Sequence, residues 1–251
     1  MTWSLTARII TRKKISTKDG YLFLAGRHKI INSRESNQQE SVYKTAIAVS
    51  AYKALSILPT IKFIGITGSL AMNNAKQDSD IDLMIITSPN TLWFSRLMSL
   101  LLLDIYGIKR RKAGDRQQKN KVCINIWLDE LDLSWPKSKR NIYTAHEIAQ
   151  IKSVLNRSQT YKKFINANSW VKRYWPNAIK TDAKILSNKD IKNDFMNDLI
   201  SLLNNLAFRL QYLYMKPKIT NETITSTRAL FHPRDWSQNI ARKLKHFQID
   251  H

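Results

Sequence analysis

Two short polar segments, each beside an apolar run, constrain this chain more than any other feature of its sequence. The first segment is Gly68-Ser69, which follows a run of mostly β-branched apolar residues. The second is the aspartate pair Asp80 and Asp82, at the start of another such run. Apolar runs of this length bounded by polar residues predict buried strands. The fold therefore has to place a Gly-Ser turn and an acidic pair on strands of one core.

The Gly68-Ser69 turn is suited to binding phosphate. Glycine lets the backbone approach a ligand closely. If a helix begins at this turn, its exposed N–H groups and its dipole favour an anion. The hydroxyl of Ser69 can add a hydrogen bond to a phosphate oxygen. We therefore predict that Gly68 and Ser69 bind a nucleotide.

Asp80 and Asp82 are predicted metal ligands. Residues two apart on a strand face the same side, so the two carboxylates share a face with their Cα atoms about 6.5–7 Å apart. Oxygen donors of this kind favour Mg²⁺ or Mn²⁺ over zinc. Two carboxylates can also converge on a pair of divalent ions.

Strand and helix patterns up to residue 135 predict an α/β (or α+β) core with a small mixed sheet. We expect three parts: an N-terminal hairpin and helix, resembling a winged-helix remnant (1–58), the core itself (59–135), and an all-helical C-terminal region (136–251). The predicted elements before residue 136 are a hairpin within 14–31, helices at 41–58 and 91–106, and strands at 61–66, 81–87, 107–112 and 122–128. Those after it are helices at 141–155, 160–174, 190–216 and 235–247.

Charge and cysteine content narrow the class of protein further. The chain has 41 Lys and Arg against 19 Asp and Glu, a formal net charge of +22, which is typical of proteins with a polyanionic partner such as nucleic acid. An AT-rich genome would also enrich lysine, but it would not explain the scarcity of acids. One cysteine excludes an intramolecular disulfide and fits the cytoplasm. We see no signal peptide, and no apolar run approaches the roughly 20 residues of a membrane span.

The order of these motifs resembles the signature of the DNA polymerase β nucleotidyltransferase superfamily. An apolar strand, Gly68-Ser69, a spacer of ten residues from Leu70 to Ser79, and Asp80-Ile81-Asp82-Leu83 follow one another as in that family. The resemblance implies that Gly68 and Ser69 hold the triphosphate and that Asp80 and Asp82 bind metal ions. It also implies transfer of a nucleoside monophosphate from an NTP to a hydroxyl, with release of pyrophosphate. Residues 67–75, 143–148 and 167–171 further resemble bacterial nucleotidyltransferase-domain proteins of unassigned substrate.

One position departs from the family pattern. Active members usually place a third acid on a neighbouring strand, and the matching residue here is Asn125. Asparagine offers a carbonyl oxygen but cannot act as a base. Asp129 shares its predicted strand face but lies roughly 13 Å away. His146 or Glu147 could reach the site from a later helix, although both also fit ordinary helix positions.

A basic run and several aromatic residues lie near this predicted site. We assign Lys109 and Arg111, from the run that extends to Lys121, to nucleotide binding, with a solvated loop as the alternative. Trp127 is the aromatic residue best placed for base stacking, because we expect it to share a strand face with Asn125. Cys123 is expected to face away from Asn125 as an inert core residue.

The sequence thus predicts an Mg²⁺- or Mn²⁺-dependent nucleotidyltransferase acting on a hydroxyl acceptor, with RNA favoured by charge. Asp80, Asp82 and Asn125 form its catalytic set. The alternative is a catalytically weak or inactive module that binds nucleotide or nucleic acid, such as an antitoxin-like regulator with a protein partner. Modification of a protein or small-molecule hydroxyl stays open as a third hypothesis.

Overall fold

A computed structural model describes the protein over residues 15–112, 114–115, 117–178, 194–220, 222–231 and 240. Within these ranges, no helix is long and apolar enough to cross a membrane. The strands are β1 (Ile15–Lys18), β2 (Tyr21–Leu24), β3 (Ile61–Ile66), β4 (Ile81–Thr87), β5 (Val122–Asp129), β6 (Lys152–Asn156), β7 (Thr223–Ile224) and β8 (Arg228–Leu230). The α-helices are α1 (Ile30–Leu55), α2 (Gly68–Ala71), α3 (Leu92–Ile105), α4 (Ile142–Ala149), α5 (Thr160–Ala167) and α6 (Asp194–Met215).

A six-stranded mixed sheet forms the centre of the fold, in the order β6-β3-β4-β5-β8-β7. Strands β4 and β5 run parallel, and every other neighbouring pair in this sheet is antiparallel. The end of β3 and the starts of β4, β5 and β6 therefore lie at one end of the sheet. The remaining strands, β1 and β2, pair as a separate hairpin.

Each face of the sheet is covered by its own apolar cluster. On one face, alternate residues of β4 such as Leu83 pack with Ala51 of α1 and Trp93 of α3. On the other face, Met84 of β4 packs with Ile148 of α4. Period-two alternation along β4 explains the division, because successive side chains point to opposite faces. Asp82 has the same parity as Met84, so it lies on the face that α4 covers.

The predicted mixed α/β core is confirmed, as are the hairpin, the strand at 61–66 and the strand at 81–87. Helix α1 begins at Ile30, eleven residues before the predicted start at Ser41. Its first turns are mostly polar and carry no apolar periodicity, which is why the sequence pattern did not predict them. The division of the chain at residues 58 and 135 stays a prediction.

The expectation of an all-helical region after residue 136 is wrong. The predicted helix at 141–155 ends at Ala149, and β6 then pairs antiparallel with β3. Strand β8 pairs in turn with β5, and β7 pairs with β8. Pairing with an open sheet edge overrides local helical spacing here, because each added strand satisfies backbone groups of the edge it covers.

Two further predicted elements differ from the structure. Residues 107–112 do not form a strand; Arg110 makes only an isolated parallel bridge with Val122. The predicted helix at 160–174 is interrupted at Asn168, whose buried side-chain amide donates to the carbonyls of Leu133 and Phe164. A 3-10 helix follows it. The predicted helix at 235–247 lies outside the described residues apart from residue 240.

Candidate nucleotide and metal site

Gly68, Asp80, Asp82 and Asn125 converge at one end of the central sheet. The backbone N–H of Thr67 donates to the carbonyl of Asp82 over 3.0 Å, which places the turn after β3 directly beside the start of β4. The start of β5 lies alongside, because β4 and β5 are parallel neighbours. The sheet therefore brings together residues that are far apart in the sequence.

Gly68 occupies a position that strongly favours glycine. Its φ is +62°, in the left-handed region that side chains disfavour. A Cβ atom at this position would lie 2.6 Å from Oδ2 of Asp82. The next residue, Ser69, is exposed in the single-turn helix α2. The backbone of the turn thus lies directly beside Asp82, and the Ser69 hydroxyl is exposed to solvent.

An acidic cluster lies beside this turn. Ligand atoms of Asp80, Asp82 and Cys123 all fall within 4.8 Å of one another. Burial raises the pKa of Asp82 from its ordinary value, and the neighbouring charge of Asp80 raises it further. A half-buried carboxylate pair of this kind is unfavourable without a cation, since like charges repel more strongly where water is partly excluded.

The prediction for Cys123 is wrong. Its thiol lies in the acidic cluster, with Nη1 of Arg111 4.0 Å from Sγ. Residues two apart on a strand share a face, and Cys123 and Asn125 accordingly lie on the same side of β5. Burial, followed by the charges of Asp82 and Asp80, raises the pKa of this thiol to about 12. Cys123 is therefore a neutral thiol beside the two carboxylates.

Asn125 is the extra residue of a bulge between β4 and β5. Leu83 pairs with Ile124 and Met84 pairs with Ile126, which leaves Asn125 without a partner in the register. A bulge changes the parity of all later residues in its strand. Asn125 itself keeps the parity of Cys123 and faces Asp82, and its Nδ2 donates to Oδ1 of Asp82 over 2.7 Å.

The same bulge overturns two other expectations for β5. Trp127 does not share a face with Asn125; it is buried at 1% exposure in the cluster on the opposite face, where it cannot stack on a ligand. Asp129 has the same parity as Trp127, and its Oδ1 accepts the backbone N–H of Leu131. Burial raises the pKa of Asp129 to about 6. Asp129 is a buried carboxylate at the far end of the strand.

Arg111 reaches the site and Lys109 lies next to it. Nη1 of Arg111 forms an ion pair with Oδ2 of Asp80 at 2.7 Å. The carbonyl of Lys109 accepts the N–H of Val122, so the chain around these residues runs beside the start of β5. The Lys109 side chain is exposed. The Arg111 guanidinium thus supplies a positive charge beside Asp80.

The donor atoms of the site fit a hard divalent cation. Asp80 and Asp82 offer carboxylate oxygens, which Mg²⁺ and Mn²⁺ prefer. Oδ1 of Asn125 is buried and has no hydrogen-bond partner among the described residues. A buried acceptor without a donor costs free energy, and a cation bound next to it would remove that cost.

Helix α4 brings a further carboxylate, Glu147, to this side of the sheet. Ala145 and Ile148 of α4 pack in the cluster of Met84 and Ile126, on the face that carries Asp82. The charge of Glu147 contributes to the raised pKa of Asp82. Burial also raises the pKa of Glu147 itself. The neighbouring His146 instead packs edge-on against Trp175, with ring centroids 5.7 Å apart.

Lys44 is a residue that the sequence analysis did not identify. It lies on α1 with 0% of its surface exposed, and its ammonium group contacts the loop that precedes Asp80. Its position in the sequence could have indicated its burial, because Lys44 lies on the same helical stripe as the buried Ala48 and Ala51. A lysine in an otherwise buried stripe indicates a specific partner, since lysine is almost never fully buried alone.

Comparison with known proteins agrees with this geometry. A family model described as a nucleotidyltransferase domain matches residues 51–197, which is more than half of the chain. Searches of curated proteins and of solved structures each found no match. The matched region contains the Gly68-Ser69 turn, both aspartates, Asn125 and Glu147. The chain therefore belongs to the nucleotidyltransferase domain family, with the polymerase β-like core that its sheet and its Gly-Ser and Asp-x-Asp motifs indicate.

Proposed function

We propose that this protein is a metal-dependent nucleotidyltransferase that moves a nucleoside monophosphate from an NTP to a hydroxyl acceptor, with RNA as the acceptor class. The observation that carries the proposal is the contact between the Gly68 turn and the acidic pair, where the Gly68 position lies against Oδ2 of Asp82. A phosphate held by the turn would then lie next to the carboxylates. Membership of the nucleotidyltransferase family supports the reaction class.

Each residue of the site has a proposed role. The backbone at Gly68 and the exposed hydroxyl of Ser69 position the β- and γ-phosphates. Asp80 and Asp82 hold Mg²⁺ or Mn²⁺, with Oδ1 of Asn125 as a neutral third donor. Such ions, when bound, neutralise phosphate charge and lower the pKa of an attacking hydroxyl. Arg111 exchanges Asp80 for a phosphate oxygen of the nucleotide, and Lys109 adds positive charge at the entrance.

The reaction requires an acceptor for one proton. The acceptor oxygen forms a bond to the α-phosphorus, the bond from that phosphorus to the α–β bridging oxygen breaks, and pyrophosphate leaves. Asn125 cannot take the proton of the attacking hydroxyl. We assign that proton to Glu147, because α4 packs on the sheet face of Asp82 and burial raises the pKa of its carboxyl toward the range of a general base.

Charge supports RNA as the acceptor. The chain carries a formal net charge of +22, and a basic run that begins at Lys109 lies beside the site. Cationic surfaces near an active site attract polyanions by long-range electrostatics. A cationic small molecule would be repelled by the same field. An acidic protein is the other class of acceptor that a positively charged surface would attract.

The test uses purified protein, Mg²⁺ or Mn²⁺, each NTP labelled at the α-phosphate, and total cellular RNA or lysate protein as acceptors. The Asp80→Ala/Asp82→Ala double variant is the negative control, and Glu130→Gln is a matched control for Glu147→Gln. Glu130 is a half-buried glutamate at the opposite end of the sheet, where its backbone N–H donates to the carbonyl of Thr87. We expect label on RNA with wild type and Glu130→Gln, and none with the double variant or Glu147→Gln.

The outcomes separate the parts of the proposal. Label on protein instead of RNA would replace the acceptor class. Full activity of Glu147→Gln would remove Glu147 as the base while leaving the reaction. Full activity of the double variant would contradict the metal site itself.

A second candidate function is a nucleotide-binding module without turnover. The neutral Asn125 in the third position and the ion pair between Arg111 and Asp80 favour it. This alternative predicts metal-dependent NTP binding with no label transfer to any acceptor. It also predicts that Asn125→Asp creates activity that the natural chain lacks.

A further inference from the structure

Helix α1 lies against the loop that joins the Gly68 turn to the Asp80 strand, and it holds that loop through a polar stripe. The guanidinium of Arg34 donates to the carbonyls of Met72 and Asn73. Ser41 accepts the backbone N–H of Ala75 over 2.9 Å. Together with Asn37 and Lys44, these residues recur at helical spacing along one face of α1. The loop is thereby held along most of its length.

Lys44 makes the deepest contact of this stripe. Its Nζ donates to the carbonyl of Gln77 over 3.1 Å and to the carbonyl of Ser79 over 2.8 Å. The third donor goes to Oδ1 of Asn120 over 2.7 Å. An ammonium group has three donors, so all of them are used. No carboxylate accepts a hydrogen bond from this Nζ among the described residues.

The two partner segments of Lys44 lead into the two halves of the site. Ser79 directly precedes Asp80, and Asn120 lies shortly before Cys123 and Asn125 on β5. The N–H of Asn120 also donates to the carbonyl of Ser79 over 3.2 Å. Lys44 therefore ties the start of β4 to the start of β5, at the point where the register between the two strands decides which side chains face the metal position.

Burial of a lysine costs free energy that burial of an apolar side chain would not. Burial lowers the pKa of Lys44, which reflects that cost. The stripe positions beside it, Ala48 and Ala51, are apolar and fully buried. An apolar residue at position 44 would complete the core but would leave the carbonyl of Gln77 and the side chain of Asn120 without this donor.

We infer that Lys44 is a positioning residue for the metal site: it fixes the spacing between Asp80 and Asn125 by joining the segments that precede them. The inference rests on the proposed function, because it takes the acidic cluster as a metal site. Lys44 acts through the carbonyls of Gln77 and Ser79 and through the side chain of Asn120.

The test compares Lys44→Met with Arg157→Met in the full chain. Arg157 is the matched control, because its guanidinium also donates to three backbone carbonyls, those of Ser56, Leu58 and Ile61, at the opposite end of the sheet. Mn²⁺ affinity is measured by electron paramagnetic resonance of the free ion, and thermal unfolding is followed in parallel. We expect Lys44→Met to weaken Mn²⁺ binding by about tenfold. This is the smaller end of the loss in metal affinity that is typical when a residue supporting metal ligands is removed. Arg157→Met should bind Mn²⁺ as the wild type does.

A milder variant, Asn120→Gly, allows the inference to be tested even if Lys44→Met does not fold. Asn120 has φ +60°, so Asn120→Gly removes its side-chain acceptor and keeps the backbone conformation. We expect a smaller loss of Mn²⁺ affinity in this variant. Wild-type Mn²⁺ affinity in both Lys44→Met and Asn120→Gly, or an equal loss in Arg157→Met, would overturn the inference. If the wild type bound no Mn²⁺, the proposed metal site would fail, and the role of Lys44 would fail with it.

Discussion

The side-chain amide of Asn125 donates to the carboxylate of Asp82 over 2.7 Å, at the position where the family pattern has an acid. Asn125 lies two residues after Cys123 on β5 and shares its face, which is the face that Asp82 occupies. The neutral amide cannot offset the charge of Asp82, but it donates a hydrogen bond to one oxygen of this half-buried carboxylate. Its own Oδ1 has no hydrogen-bond partner among the described residues.

Replacement of Asn125 by aspartate should strengthen metal binding and weaken the metal-free fold. A third carboxylate increases attraction for a divalent ion, and it also repels Asp80 and Asp82. We expect a several-fold gain in Mn²⁺ affinity at pH 8 and a lower melting temperature that Mn²⁺ restores, read by metal titration and by thermal unfolding. Asn166→Asp, at an exposed position of α5, controls for the added charge. Equal metal affinity of Asn125→Asp and the control would contradict the placement of Asn125 in the site.

The Gly68→Ala substitution should disrupt the site beyond its effect on backbone conformation. A methyl group at this position meets Oδ2 of Asp82, and the backbone has a positive φ. Gly107 has φ +67° and nothing within 4 Å of an added Cβ. Gly107→Ala therefore loses stability only through the unfavourable backbone conformation. That cost is about 1 kcal/mol. We expect Gly68→Ala to lose more stability than the control in urea unfolding and to lose Mn²⁺ binding, which Gly107→Ala should keep.

Metal affinity should fall as the pH falls through neutrality. Burial and Asp80 raise the pKa of Asp82 to about 7 in the metal-free protein. A metal ion needs the ionised carboxylate, so protons compete with it increasingly below that pH. We expect the apparent Mn²⁺ affinity to level off above about pH 8 and to fall by up to about tenfold for each pH unit below 7. Constant affinity between pH 5 and 8 would contradict the raised pKa.

The same raised pKa predicts the sign of a stability change. An acid whose pKa is higher in the folded than in the unfolded state binds more protons when folded. Its contribution to the free energy of unfolding therefore decreases as pH rises from about 4 to about 7. Asp82→Asn should flatten this part of the stability profile in metal-free buffer, as measured by chemical denaturation at several pH values.

Loss of Arg111 should separate metal binding from nucleotide binding. Its guanidinium pairs with Asp80, which a metal ion also requires. Arg111→Met should therefore raise Mn²⁺ affinity without nucleotide and lower NTP affinity, as measured by calorimetry. Arg110→Met is the control, because Arg110 pairs with Asp104 instead. A drop in both affinities for Arg111→Met would mean that the arginine supports the fold of the site and does not compete with the metal.

The sequence by itself was sufficient to predict the geometry that depends on local pattern. Gly68 and Ser69 follow β3, and Asp80 and Asp82 are two residues apart at the start of β4, so a shared side for the two carboxylates follows from period-two alternation. The α/β core followed from the same patterns, because apolar runs of this length have few alternatives to a buried strand.

Tertiary structure decided what depends on register and on distant contacts. One bulge in β5 moved Trp127 to the face opposite Asn125, and the hydrophobic spacing of the sequence did not predict that bulge. Strand β6 formed because β3 offered an open edge, which outweighs the helical spacing of residues 141–155. Lys44 gained its role from Asn120, 76 residues away, because only the folded chain brings a buried ammonium group to the carbonyls it holds.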